Sequence, residues 1–374
     1  MTSWWLAEEA PPLPSSSFEG RSEVAIVGGG VTGCSCALAL AEAGVRVRLH
    51  EAREIAGGAS GRNGGFALRG AAPGYDEARE QLGVERAQAL WRLTERALDR
   101  IEELAGDAFR REGSLRLAAD VEERGALEAE FDALRADGFA VEWVDELEPP
   151  LEGRYFGAIH HPPDGALQPA RWVRRLAALA AEAGADIRER SQVHSLDALE
   201  GDQIVVATDG YGGSLVPELD GTLWPTRGQV IVTAPLPERI YARPHYGRGG
   251  YDYWHQTPDR RLVLGGRRDR APDLEYSDEE QTTPLIQDEL DRFAAELAGA
   301  SVTIERRWAG IFGMTKDRYP LVGPLPGDDR VWLSTGYSGH GNVMGFACGR
   351  LVAESLLGRP DPILEPFDPA RALG

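Results

Sequence analysis

A glycine turn set between a short apolar run and a helix of small residues constrains this chain more than any other feature. Residues 24–52 read VAIVGGGVTGCSCALALAEAGVRVRLHEA. The pattern predicts a buried strand over 24–27, a helix from the turn to about Ala43, and a second strand over 45–49. Gly28, Gly30 and Gly33 fit G-x-G-x-x-G, and Glu51 closes the next strand. The first glycine of such a turn permits the sharp reversal, the second lets backbone approach a pyrophosphate, and the third lets helix pack on strand. Val31 and Thr32 begin a helix whose N-terminus faces the phosphates, while Glu51, followed by Ala52, is placed to bind ribose hydroxyls. The chain is therefore expected to hold a dinucleotide.

The turn alone does not say which one. A nicotinamide enzyme would continue into another crossover helix, whereas this chain runs through GGASGRNGGF at 57–66. Ser60, Arg62, Asn63, Gly64 and Gly65 fall in a loop that can lie along a diphosphate and under a flavin ring. There, backbone N–H groups serve where side chains would collide.

At 374 residues the chain is long enough for two domains. Amphipathic helices are expected over 76–137 around a strand at 113–119, and a buried strand at DQIVVATDG returns to the first sheet. From Leu223 to Arg318 the pattern changes to aromatic and β-branched strands crossed by one helix, and VWLSTGYSGHGNVMGFACGRLVAESLLG reads strand, glycine turn, helix. The fold class is α/β: a Rossmann-type domain from 1–75, 150–222 and 320–374, and a substrate domain on a mixed sheet from 76–149 and 223–319.

A formal charge of −20 argues against nucleic acid or an anionic membrane surface as partner. No apolar run has the length of a membrane span, and the N-terminus has no signal pattern. Cys34, Cys36 and Cys348 fit no disulfide framework, so a cytoplasmic location is expected. Trp4 and Trp5 are expected to tuck the Pro/Ser-rich arm onto the body or a neighbouring subunit; the oligomeric state is not fixed. Lys316 is the only lysine, and no metal is expected.

Taken together, VAIVGGGVTG, GGASGRNGGF, VVATDGY, RWAGIFGMTKDRYPLVGPLP and STGYSGHGNVMGFACGRLVAESLLG resemble the D-amino-acid oxidase, glycine oxidase and sarcosine oxidase superfamily of FAD enzymes. ASGRNGG and YSGHG are most similar to its γ-glutamylputrescine oxidoreductase branch, which oxidises amines. The resemblance implies FAD across the nucleotide domain, with Val193 near the adenine and Ala207 and Thr208 beside the ADP. It also implies that Gly339, His340, Gly341, Asn342 and Val343 form the turn under the flavin, and that residues 57–66 make room for the ring and diphosphate.

Departures from the family pattern narrow the expectations. Covalent members attach FAD through a cysteine where this chain has Gly313 and Met314, or through a histidine where it has Arg62 and Asn63, so FAD is expected to be noncovalent. Carboxylate-binding members carry a cation at the positions of Phe312 and Val343, which makes simple α-amino acids doubtful substrates. Strand alternation puts Tyr251, Tyr253 and His255 on one face; the resemblance implies that Tyr253 faces the substrate, where with Phe312, Met314 and Tyr337 it would box an alkyl or aryl amine. Arg227 and Gln229 are candidates for a distal polar group.

The implied reaction is hydride transfer from an amine to flavin N5, with the imine hydrolysed to a carbonyl. Oxygen or another acceptor then takes the electrons. Sarcosine oxidases promote the oxygen step with a lysine where this chain has Val263, and His340 is the candidate substitute. The alternative is an amino-acid oxidase (glycine, D-amino acid or N-methyl amino acid) with a non-standard clamp, Arg227 or Arg248.

Overall fold

The computed structural model describes residues 2–15 and 17–373. Two large sheets dominate it. The first has six strands in the order 321–325, 328–335, 201–206, 22–27, 47–50, 186–188. Strand Ser22–Val27 pairs in parallel with Gly201–Val206 and with Val47–His50, so its near-continuous apolar run is covered on both faces. Helix Val31–Glu42 follows it at once and packs against helices Pro169–Glu182 and Gly341–Leu356. Its Gly, Ala, Cys and Ser residues are small enough to permit that approach. Cys34, Cys36 and Cys348 are buried free thiols, and burial pushes Cys36 up to about 12.

The second sheet has eight strands in the order 304–314, 224–233, 262–266, 252–256, 245–247, 114–117, 158–161, 142–144. It is mixed because Ser114–Leu117 runs parallel to His245–Gly247 while its other neighbour, Ala158–His161, is antiparallel. Trp254, Leu262 and Leu264 pack one face against Ile286, Leu290 and Phe293 of helix Pro284–Ala298. The opposite face contributes Val230, Val263 and Trp308 to the core shared with the first sheet.

One boundary needs correcting. Strand Ala158–His161 falls within 150–222, the stretch expected in the nucleotide part, yet it hydrogen-bonds between Ser114–Leu117 and Glu142–Val144 in the second sheet. A strand this short is placed by its neighbours, which the local pattern does not reveal. Among the described residues, no helix is long and apolar enough to cross a membrane.

Candidate functional site

The glycine turn is held by the protein's own backbone. Gly28 sits at φ 112°, and a Cβ there would lie 2.5 Å from the Ala207 carbonyl oxygen; one on Gly33 would lie 2.0 Å from that of Gly28. Gly30 differs, because its missing Cβ faces the Ser60 hydroxyl at 2.9 Å and the residue lines a cavity. That hydroxyl accepts the Val31 N–H at 3.0 Å. Behind the turn, the Glu51 carboxylate accepts the N–H groups of Gly29 at 2.7 Å and Arg53 at 2.8 Å. Ala52 beside it is exposed. Ser191 donates its N–H to the Glu51 carbonyl at 2.8 Å, and Val193 two residues on is partly buried against the cluster that holds Ala25 and Val27.

The early loop is clamped from three directions. Asn63 and Asn342 exchange amide hydrogen bonds, and Asn342 also donates to the Phe66 carbonyl at 2.7 Å. The N-terminal arm supports the loop from below: Ser3 donates to the Gly61 carbonyl at 2.6 Å, and the Trp5 indole to that of Asn63 at 2.8 Å. Trp5 is 1% exposed and stacks on His255. Arg62 donates to the Gly57 and Ala309 carbonyls and pairs with Glu280. The expectation that the loop glycines only clear space for a ring and diphosphate is corrected here. A Cβ on Gly61 would meet the Ala56 oxygen at 2.3 Å and one on Gly65 the Leu167 oxygen at 2.6 Å, so these two serve internal packing.

The far end of the cavity is aromatic. Tyr253 lies opposite Gly265 across two strands, and the absent side chain there leaves room for its ring, which meets Phe66 edge-on. Its hydroxyl has no hydrogen-bond partner among the described residues, and burial pushes it up to about 12. Phe312, Tyr246 and His340 also line this end, with Tyr246 edge-on to His340 at 5.9 Å. His340 has an unpartnered Nδ1 among the described residues. Burial, and then the Arg116 guanidinium, lower it to about 4.

Several expectations fail at this end. Met314 does not line the cavity, because strand Ile304–Met314 has by then passed beyond it to pair with Trp224. The Tyr337 ring does, but its hydroxyl is bound to Thr32 at 3.2 Å and Ser334 at 2.9 Å, so it ties helix to sheet. Arg227 and Gln229 face away. Both bind Glu275, since Gly228 and Val230 are the residues of that strand that alternate into the cavity. Arg248 is held by Asp252 and Asp269. Val263 is fully buried in its strand, and Lys316 is exposed.

Among the lining residues that sequence reasoning missed are Asp209, Tyr246 and Arg268. Asp209 accepts the N–H groups of Gly313 and Gly336, both at 2.9 Å, and staples the second sheet to the turn before the late helix. Only the Gly-Gly-Arg-Arg run at 265–268 offered a signal for Arg268.

One cavity joins these parts. Gly30, Val31, Thr32, Ser60, Arg62, Asn63, Gly64 and Ala207 line it together with residues 337–343 and the aromatic residues above. Gly28, Gly33, Glu51, Ala52, Gly65, Val193, Thr208 and Gly313 are not among the lining residues. The fit to a flavin dinucleotide is good. The N-terminus of helix Gly341–Leu356 opens into the cavity, and the Nδ1 of the lining residue His340 is buried without a partner among the described residues.

Comparison with known proteins agrees with this geometry. The family described as DAO: FAD dependent oxidoreductase matches residues 23–355. The chain is 31% identical over 383 residues to a γ-glutamylputrescine oxidoreductase of Escherichia coli, covering 94% of this chain and 87% of that one. It is 30% identical over 395 residues to a probable oxidoreductase OrdL of Rhizobium meliloti, covering 96% and 88%. The crystal structure of glycine oxidase from Geobacillus kaustophilus superposes with a TM-score of 0.77 at 22% identity, covering 95% of this chain and all of the other.

Proposed function

The chain belongs to the DAO family of FAD-dependent oxidoreductases, and from that premise we propose that it oxidises the C–N bond of a small amine to an imine, which water then hydrolyses to a carbonyl compound and ammonia or a smaller amine. One observation carries this reading: a single cavity runs from the dinucleotide turn to a wall of Phe66, Val230, Ile311 and Phe312. FAD bound there supplies the acceptor for the hydride on the carbon beside the substrate nitrogen.

The chain's own part is to orient and to exclude water. The apolar wall holds the alkyl portion, and the Tyr253 phenol stays protonated and donates to a polar atom of the substrate. His340 stays neutral at ordinary pH and so adds no charge against a bound amine. The N-terminus of the late helix favours negative charge where it meets the cavity. No side chain need be a strong base when the amine binds unprotonated.

The test is anaerobic mixing of the yellow protein with a panel of primary amines, secondary amines and amino acids. Bleaching of the visible flavin band by at least one amine supports the reading; a flavin that stays oxidised with all of them overturns it. Admitting air or an artificial acceptor to the bleached protein then assigns the electron acceptor.

A further inference from the structure

We propose that a second, polar chamber beyond His340 holds water and takes the proton that a substrate ammonium loses before it is oxidised, with the Asp164 carboxylate as acceptor. This role rests on the amine oxidation proposed above. Leu68, Tyr246 and His340 line both the main cavity and the chamber, so the two meet there. The chamber has a volume of about 40 Å³, room for two or three waters at roughly 10–15 Å³ each. Beyond the junction its wall carries the buried polar side chains of Arg69, Ser114, Glu130, His161 and Asp164.

Most of these groups hold one another. Asp164 accepts the Arg69 N–H at 2.8 Å and the Ser114 hydroxyl at 2.6 Å. The Arg69 guanidinium donates to Glu95 at 2.7 Å and to His161 Nδ1 at 3.1 Å, which leaves that ring neutral with its proton on the other nitrogen. Arg116, also in the lining, pairs with Glu130. Two polar atoms of the lining are left over: Arg69 Nε and His340 Nδ1 are buried without a protein partner among the described residues. Buried polar groups of this kind are met by water as a rule. Arg69 belongs to the chamber wall and His340 to its junction with the main cavity, so water on both joins the cavity to the wall that holds Asp164.

An alkyl amine arrives mostly as R–CH₂–NH₃⁺, and its nitrogen lone pair must be free before hydride can leave the neighbouring carbon. One N–H bond breaks, the proton passes along the waters to an Asp164 oxygen, and the electron pair stays on nitrogen. R–CH₂–NH₃⁺ and –COO⁻ thus become R–CH₂–NH₂ and –COOH. Loss of hydride to the bound cofactor then gives R–CH=NH₂⁺, and Asp164 gives up its proton before the next substrate binds. Burial raises Asp164 to about 6, against the pull of Arg69 and Arg111. The Arg116–Glu130 pair and the neutral His161 are the other ionisable groups in the chamber wall. Asp164 is therefore ionised at neutral pH yet accepts a proton at modest cost. The apolar wall of the main cavity lowers the bound ammonium toward it, because burial disfavours the charged form. His340, lowered to about 4, relays hydrogen bonds without keeping the proton.

The experiment compares wild type, Asp164→Asn and Ala72→Leu as holoenzymes. Asparagine keeps an oxygen for the Arg69 N–H but takes no proton, and leucine at the lining position 72 fills part of the chamber without altering a polar group. Anaerobic flavin reduction by butylamine between about pH 6 and 9 gives the limiting rate and the dissociation constant. Asp164→Asn is expected to slow the limiting rate at pH 7 on the order of 100-fold with the dissociation constant unchanged. The deficit should shrink as pH rises and more of the amine arrives unprotonated, and Ala72→Leu should show the same pH-dependent deficit. Wild-type rates in both variants, or a deficit equal at every pH, would overturn the assignment. If no amine reduces wild type, the proposed oxidation fails, while a crystal structure of the holoenzyme still decides on the chamber. Ordered waters joining His340 to Asp164 are expected there, and a dry or interrupted chamber would overturn the route.

Discussion

The side-chain amides of Asn63 and Asn342 meet face to face, each donating to the other's oxygen at 3.0 and 3.1 Å across 279 residues of chain. One stands in the early glycine loop and the other in the first turn of the late helix, so the pair joins these two parts of the cavity wall. Asn63 also accepts the Gly65 N–H at 2.8 Å, which fixes the loop's exit.

Removing either partner leaves polar groups of the other stranded in a part-buried place. Asn63→Ala and Asn342→Ala are each expected to cost about 1–3 kcal/mol of stability, with a non-additive double mutant. Urea denaturation of all four proteins measures the coupling. A double mutant that loses the full sum of the two would mean that the amides do not act as a unit.

Gly30 tests the placement of the dinucleotide. Gly30→Val puts a branched side chain against Ser60 and into the cavity rather than into the backbone. It should abolish FAD retention while leaving far-UV circular dichroism native. Fully loaded protein after purification would show that the pyrophosphate lies elsewhere.

The glycine turn, its strands and the late helix were legible because each obeys a local rule: period, glycine spacing, apolar run. The errors lie where the answer depends on residues far away in sequence. Alternation in the TRGQV strand is real, but which face meets the cavity was decided by Glu275, 48 residues beyond Arg227. Arg267 and Arg268 are chemically identical neighbours, and only a left-handed backbone angle separates a structural one from a lining one. Trp5 was expected to dock; that it would hold up the glycine loop could not be seen from an arm with no periodicity of its own.

The mode of cofactor attachment gives a simple test. Positions 62, 63, 313 and 314 hold arginine, asparagine, glycine and methionine, and none of these side chains forms the cysteine or histidine links of covalent relatives. Acid precipitation of the yellow protein is expected to release all flavin as free FAD into the supernatant. A yellow pellet would identify an attachment point outside these four, with His340 the first to examine by peptide mapping.

Buried histidines outside the cavity, His245 and His255 among them, make the fold sensitive to acid. Burial pushes both His245 and His255 down to about 3, helped by Arg243 in the first case and Arg110 in the second. In the unfolded chain each takes up a proton near pH 6.5, while in the folded chain neither does until about pH 3. Their contribution is therefore present above pH 6.5 and is lost progressively as pH falls below it. Asp164 acts in the opposite sense: burial raises it to about 6, so its contribution is present at low pH and is lost as pH rises through 6. His50, His161 and His340 are lowered in the same sense as these two, and Asp209 and Asp252 are raised in the sense of Asp164. Between about pH 7 and 5.5 the histidines, whose unfolded range lies there, dominate and leave a net loss of stability on acidification. Urea midpoints should fall between about pH 7 and 5.5, and His245→Gln should flatten that slope by up to about 1.4 kcal/mol per pH unit. A midpoint that holds steady or rises over this interval would mean that these imidazoles titrate in the folded protein as they do in water.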